Sequence, residues 1–180
     1  DSMNSKLRQG LDADMLITSA GVSKGDYDMV KDVLTSHGKI DFWVVRMRPA
    51  KPLAFGVLDG PNGRQVPHLG LPGNPVSAMV AFEQFGRAAI HKMLGKTNYT
   101  KPTIKAILDE PIYNTDERRV YARAIVTKRD GIYHARLTGP QDSNLLSSMS
   151  RANGLATCPE DQTKKEVGEL VDVQMIDWPE

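Results

Sequence analysis

Three short segments combine the residue types that handle anions. SAGVSKGDYD (residues 19–28) carries Gly21, Ser23, Gly25, Asp26 and Asp28; RMRPAKP (46–52) carries Arg46, Arg48 and Lys51; GLPGNPVS (70–77) carries Pro72, Gly73, Asn74, Pro75 and Ser77. Glycine lets a backbone approach a ligand closely or adopt positive φ. Guanidinium and ammonium groups bind oxyanions, the first in bidentate fashion. Asn followed by Pro is a preferred helix opening, with Asn as N-cap and Pro at the first helical position. Ser77 then falls in a first turn whose N–H groups lack intrahelical partners. Together the segments suit a tetrahedral anion or a phosphate-bearing ligand.

Each feature also has a structural reading. Gly21 and Gly25 serve a tight turn equally well. Asp26 and Asp28 either hold a divalent cation or compensate a helix N-terminus. Arg46 and Arg48 alternate so as to share one strand face, which is either an anion site or a solvated sheet edge. The Pro72–Ser77 turn is also a rigid strand-to-helix connector. Arg118, Arg119 and Arg123 lie along one strand pattern and read mainly as surface residues, although a neighbouring domain could aim one of them into the crevice.

Hydrophobic periodicity supplies the elements that would position these groups. Residues 15–18 read as a buried strand, 27–37 as a helix, 42–47, 53–58 and 66–71 as strands, and 75–94 as one helix ended by Gly95. Alternating strand and helix points to a mostly parallel, three-layer α/β sheet over residues 1–97, incomplete at its start. Its turns leave the carboxyl ends of strands, where ligands bind in such sheets, so one crevice would receive all three. From residue 98 the period becomes two, with Asp130-Gly131 as a hairpin signal, and residues 98–180 read as a small β domain.

Composition narrows the function. Of 180 residues 40% are hydrophobic and 25% charged, and the net charge is +1, so nucleic acid is not an expected partner. Residues 1–97 hold 12 Lys and Arg against 9 Asp and Glu; residues 98–180 hold 11 against 13. The positive excess gathers around the second segment. One cysteine, Cys158, excludes an intrachain disulfide and reads as packing, and with no membrane-length apolar run a cytoplasmic protein is expected. Trp43 and Trp178 read as core or interface residues, and His68 as a strand residue.

The three segments, in this order and spacing, resemble the molybdenum-insertion proteins of molybdenum cofactor synthesis, a family that includes molybdopterin molybdotransferase and a domain of gephyrin. The resemblance extends into the β part at residues 118–123 and 153–155. It implies an enzyme that inserts molybdate into adenylated molybdopterin and releases AMP, with Mg²⁺ assisting and a homodimer as the working state. It implies Asp28, Lys51 and Ser77 as catalytic residues. Gly21, Ser23, Gly25, Asp26, Arg48, Pro72, Gly73, Asn74, Pro75 and Arg118 would be binding residues, and Asp26 and Asp28 the Mg²⁺ ligands. A pterin- or nucleotide-binding module without chemistry and a gephyrin-like scaffold are the alternatives. Two departures stand out: Ala20 and Ala50 replace residues that are usually glycine in the family. The family's dimerising domain and an upstream acidic residue are not in this sequence, so it reads as a fragment.

Overall fold

The computed structural model of the chain describes residues 2–20 and 27–178, with the backbone alone for residues 2, 3 and 27–31. Contacts divide the chain into two compact units: residues up to Val45 with Ala50–Ala81, and Arg46–Pro49 with residues from Phe82 onward.

In the first unit the elements are α1 (Ser2–Gly10), β1 (Leu16–Ser19), α2 (Tyr27–Ser36) and β2 (Gly38–Val44). After the two-residue β3 (Met47–Arg48) of the other unit come β4 (Pro52–Asp59), β5 (Gln65–Leu71) and α3 (Pro75–Ala81). The four strands form one sheet in the order β1-β5-β4-β2. The α/β architecture agrees with the sequence, but the sheet is mixed rather than mostly parallel. Only β1 and β5 run parallel; β4 is antiparallel to both β5 and β2. The cause lies in the connections: the five-residue link between β4 and β5 is long enough for a hairpin and too short for a crossover helix.

Alternation along the strands places one set of side chains under α1 and α2. Leu7, Leu11, Leu34, Ile40, Ala54, Leu58 and Val66 are buried together there. Each fully buried leucine in such a cluster contributes about 2 kcal/mol. On the opposite face Leu53, Leu69 and Leu71 are buried, whereas Ile17, Phe55 and Trp43 are 37, 48 and 59% exposed. Neither β1, half-buried and exposed in alternation, nor Trp43 is the buried element that its apolar character suggests.

Beyond β3, the second unit continues with a π-turn (Phe82–Gly86) and α4 (Arg87–Met93). The single helix read over 75–94 is thus interrupted by one wide turn, and Gly95, at φ 74°, follows its end. There follow β6 (Thr103–Leu108), β7 (Ile112–Tyr113), β8 (Arg119–Arg129), β9 (Ile132–Leu137), α5 (Leu146–Ser150), β10 (Gly154–Cys158), β11 (Lys164–Lys165) and β12 (Leu170–Met175). The pairing β10-β12-β6-β9-β8 closes back on β10, making a five-strand barrel to which β3 adds in parallel beside β8. The hairpin between β8 and β9 turns at Asp130 and Gly131, both with positive φ. The interior is lined by small and branched residues, among them Ala106, Ala122, Ala124, Ala135, Ala156, Val173 and Cys158. Alanines suit the narrow lumen of so small a barrel.

The strand read over 42–47 is divided. β2 ends at Val44, and residues 46–49 belong to the barrel unit, where β3 pairs with β8.

Candidate oxyanion-binding site

Register brings several loops to one end of the first sheet. Ser19 ends β1 opposite Leu71, which ends β5. β4 starts at the same end, because Ala54 lies opposite Gly70, and Pro52 faces Val44 at the end of β2. The loop after β1 and the loop after β5 are joined directly: Ala20 N–H donates to the Leu71 carbonyl at 3.2 Å and the Ser19 hydroxyl to the Pro72 carbonyl at 3.3 Å. Gly73 suits this closeness, since a Cβ there would lie 3.3 Å from both Cα and Cβ of Ala20, a tight contact.

Asn74 caps the helix that follows. Its Oδ1 accepts from Ser77 N–H at 3.3 Å, and its carbonyl accepts from Ala78 N–H at 2.8 Å. Pro72 and Ser77 are buried, Asn74 is half-buried, and Gly73 and Pro75 are exposed. Lys51 is exposed just ahead of β4, with its carbonyl accepting from Val45 N–H at 2.8 Å. The first and third segments thus meet, with Lys51 at the same sheet end. Below them His68 of β5 is fully buried. Its Nε2 lies 3.0 Å from the Thr18 hydroxyl, its Nδ1 has no partner, and burial pushes its pKa down to about 4.

The arginines of the second segment act within the barrel unit. Arg46 donates to the Glu117 carbonyl at 3.0 Å. Arg48 donates to the Tyr113 carbonyl at 2.6 Å and the Thr115 hydroxyl at 3.3 Å, and its Nη1 lies 3.6 Å from Asp116 Oδ2. Arg118 grips the same carboxylate oxygen through Nε, at 2.9 Å, and Nη2, while its Nη1 donates to the Met47 carbonyl at 3.3 Å. The Arg118 hydrogen bond, with smaller help from the Arg48 charge, holds the Asp116 carboxyl below its usual range against the opposing effect of burial. Arg46 and Arg48 therefore share a target, the loop over residues 113–117, instead of a long strand face.

Residues 1–92 match the family model described as a probable molybdopterin binding domain, and residues 105–176 match the MoeA C-terminal region, domain IV. The chain belongs to the MoeA family. MoeA-family relatives include the molybdopterin molybdenumtransferase 2 of Mycobacterium tuberculosis, 35% identical over 173 residues, covering 92% of this chain and 41% of the relative. The molybdopterin molybdenumtransferase of Haemophilus influenzae is 33% identical over 164 residues, covering 90% of this chain and 39% of its own length. Gephyrin of Dictyostelium discoideum is 32% identical over an alignment of 183 positions, gaps included, that covers 91% of this chain and 26% of the relative. The chain thus spans about two-fifths or less of the curated relatives named here. A crystal structure of the molybdopterin biosynthesis MoeA protein of Pyrococcus horikoshii has the same fold, with a TM-score of 0.76 at 23% identity over 99% of this chain and 41% of that one.

Of the residues that the MoeA resemblance singles out, Gly21, Ser23, Gly25 and Asp26 lie outside the described residues. Asp28 is the second residue of α2 and is described by its backbone alone. Among the described residues no group of three or more His, Cys, Asp or Glu side chains could hold a metal ion. Among the described residues, no helix is long and apolar enough to cross a membrane.

Ala20 and Ala50 both stand at positive φ, 86° and 76°, the conformation that glycine accepts without strain. Two further residues escaped the sequence reading. Asp116 ties Arg48 and Arg118 together, and its signal was its place just before an Arg-Arg pair. Arg123, read as a surface residue, is 1% exposed.

Proposed function

We propose that the chain is the ligand-holding part of a molybdopterin molybdenumtransferase, acting in molybdenum cofactor biosynthesis on adenylated molybdopterin and molybdate with release of AMP. The observation that supports this most is the hydrogen-bonded meeting of the loops after β1 and β5, with Ser77 and Lys51 at the same sheet end. Molybdate is a tetrahedral dianion. The Ser77 hydroxyl donates one hydrogen bond to it, the Lys51 ammonium supplies a point charge, and the loop backbones fix its position. In the barrel unit Arg48 and Arg118 offer guanidinium groups to an anionic ligand in their own right. Binding and orientation are the contributions assigned to these residues; holding reactants in register lowers the barrier without a protein nucleophile.

Thermal unfolding with and without molybdate tests the reading. Molybdate raises the unfolding temperature of the wild-type protein. Ser77→Ala and Lys51→Gln each weaken its affinity about tenfold, the value of one charge-assisted hydrogen bond. Equal protection of wild type and both variants would remove Ser77 and Lys51 from the site.

A further inference from the structure

Asp116 lies between two arginines of the barrel unit. Arg48 and Arg118 both direct guanidinium nitrogens at one oxygen of this single carboxylate. Two positive charges thus face one negative charge, and the cluster keeps a net charge of +1. The three side chains are 34, 26 and 31% exposed in the order Arg48, Arg118, Asp116, so a small anion has access to them.

Each guanidinium group also has a partner other than Asp116. Arg48 is also held by the Tyr113 carbonyl and the Thr115 hydroxyl, and Arg118 by the Met47 carbonyl. The parallel pairing of β3 with β8, Met47 opposite Arg119 and Arg48 opposite Val120, fixes the two backbones side by side. Removal of the carboxylate would leave two anchored guanidiniums. The bonds are also unequal: Arg118 holds Asp116 through two nitrogens, whereas Arg48 reaches it only at 3.6 Å, beyond hydrogen-bond length.

We propose that Asp116 is an internal competitor for a tetrahedral oxyanion, its carboxylate filling the place between Arg48 and Arg118 until a dianion displaces it. A dianion neutralises both guanidiniums where the monoanionic carboxylate neutralises one, and its oxygens can serve both in bidentate fashion. Asp116 therefore sets a threshold: monoanions do not displace it, and dianions do so at reduced affinity. The inference rests on the reading that these arginines take an anionic ligand. The free oxyanion and a phosphomonoester share the required chemistry.

Calorimetric titration at low ionic strength and pH 8 tests it, with molybdate, inorganic phosphate and AMP as probes. The proteins are wild type, Asp116→Asn, Arg118→Gln and the double variant. Asp116→Asn is expected to bind about tenfold tighter, because a competing charge is gone, and Arg118→Gln to bind weaker and to cancel the gain in the double variant. A preference for AMP identifies a phosphomonoester as the ligand; equal or better binding of molybdate and phosphate identifies the free oxyanion. Unchanged affinity in Asp116→Asn, with Arg118→Gln still weakened, overturns the competitor and leaves the arginine site standing. No effect of either substitution overturns both. Should Asp116→Asn fail to fold, the Arg118 Nε–H resonance of the wild type decides: it shifts on titration if the carboxylate is displaced, and a fixed resonance at saturating anion rules displacement out.

Discussion

In the barrel unit Arg123 is 1% exposed, and in the open-sheet unit His68 is 0% exposed, yet the two buried side chains are treated in opposite ways. Arg123 donates from Nε to the Ser148 hydroxyl at 3.1 Å and from Nη2 to the Asp142 carbonyl at 3.0 Å. Its own N–H and carbonyl are taken by Gln141 and Thr138. Burial pulls its pKa down and the Asp142 charge opposes that, so the guanidinium remains a cation. It pins the segment between β9 and α5 over the outer face of β8. His68 has one partner, Thr18, and a buried Nδ1 with none. It folds as neutral imidazole, since a charge there would be uncompensated. A satisfied buried group locks its surroundings, whereas a half-satisfied one makes its surroundings sensitive to conditions. Arg123 accordingly locks its part of the barrel, whereas His68 makes its part of the open sheet responsive to pH. The open sheet is also the unit in which two alanines stand at positive φ.

The largest effect expected from this contrast is at Arg123. Arg123→Ala removes the donors of two hydrogen bonds and leaves a buried hydroxyl and carbonyl behind, at a cost of about 3 kcal/mol. The chain has two tryptophans, Trp43 in the open sheet and Trp178 beside Tyr133 in the barrel unit. Denaturant unfolding followed by Trp178 fluorescence in a Trp43→Phe background reads the barrel unit. A loss below 1 kcal/mol would mean that Arg123 does not lock the unit.

The next effect separates the units by pH. The unfolded His68 takes up a proton at its ordinary pKa of 6.5, while the folded one refuses it down to about pH 4. Stability of the open sheet is therefore full above pH 6.5 and declines as pH falls toward 4, by about 2 kcal/mol at pH 5. Asp109 and Asp116 of the barrel unit are shifted the other way. The His134 hydrogen bond lowers the first and the Arg118 hydrogen bond the second from 3.8. Their contribution is present above pH 3.8 and is lost only in more acidic solution. Unfolding at pH 8 and pH 5 should thus shift the Trp43 transition and spare the Trp178 transition, and His68→Leu should flatten the former. A pH-independent Trp43 transition in the wild type would remove His68 as the cause.

Local chemistry made one part of this molecule readable and left another hidden. The turns at the sheet end could be read because glycine, proline and an Asn-Pro helix opening act within a few residues of themselves. Asn74 caps α3 as its type and place suggest, and Asp130-Gly131 turns the β8–β9 hairpin. The barrel's closure was not readable, since it depends on β6 pairing in parallel with β9 and β10 with β8, contacts that leave no local trace. The division of residues 42–47 was hidden for the same reason: a mainly apolar run does not reveal that Met47, at its end, pairs with a strand some 70 positions later. Arg123 was misjudged because alternation on β8 predicts its face correctly but says nothing of the segment that covers that face.

The smallest effect tests whether the loops at the sheet end are strained. Ala20 is exposed, stands at φ 86°, and is held there by its N–H bond to the Leu71 carbonyl. An L-residue with a Cβ in this region costs about 1 kcal/mol, and glycine removes that cost at the expense of a more flexible unfolded chain. Ala20→Gly should therefore raise the stability of the open sheet by a little under 1 kcal/mol, read at Trp43. Ala50→Gly should gain less, because the Ala50 methyl is buried and its packing is lost. Lower stability in Ala20→Gly would show that the Ala20 methyl against Gly73 helps to hold the two loops together. That result would shift the sheet end from a strained arrangement to a packed one.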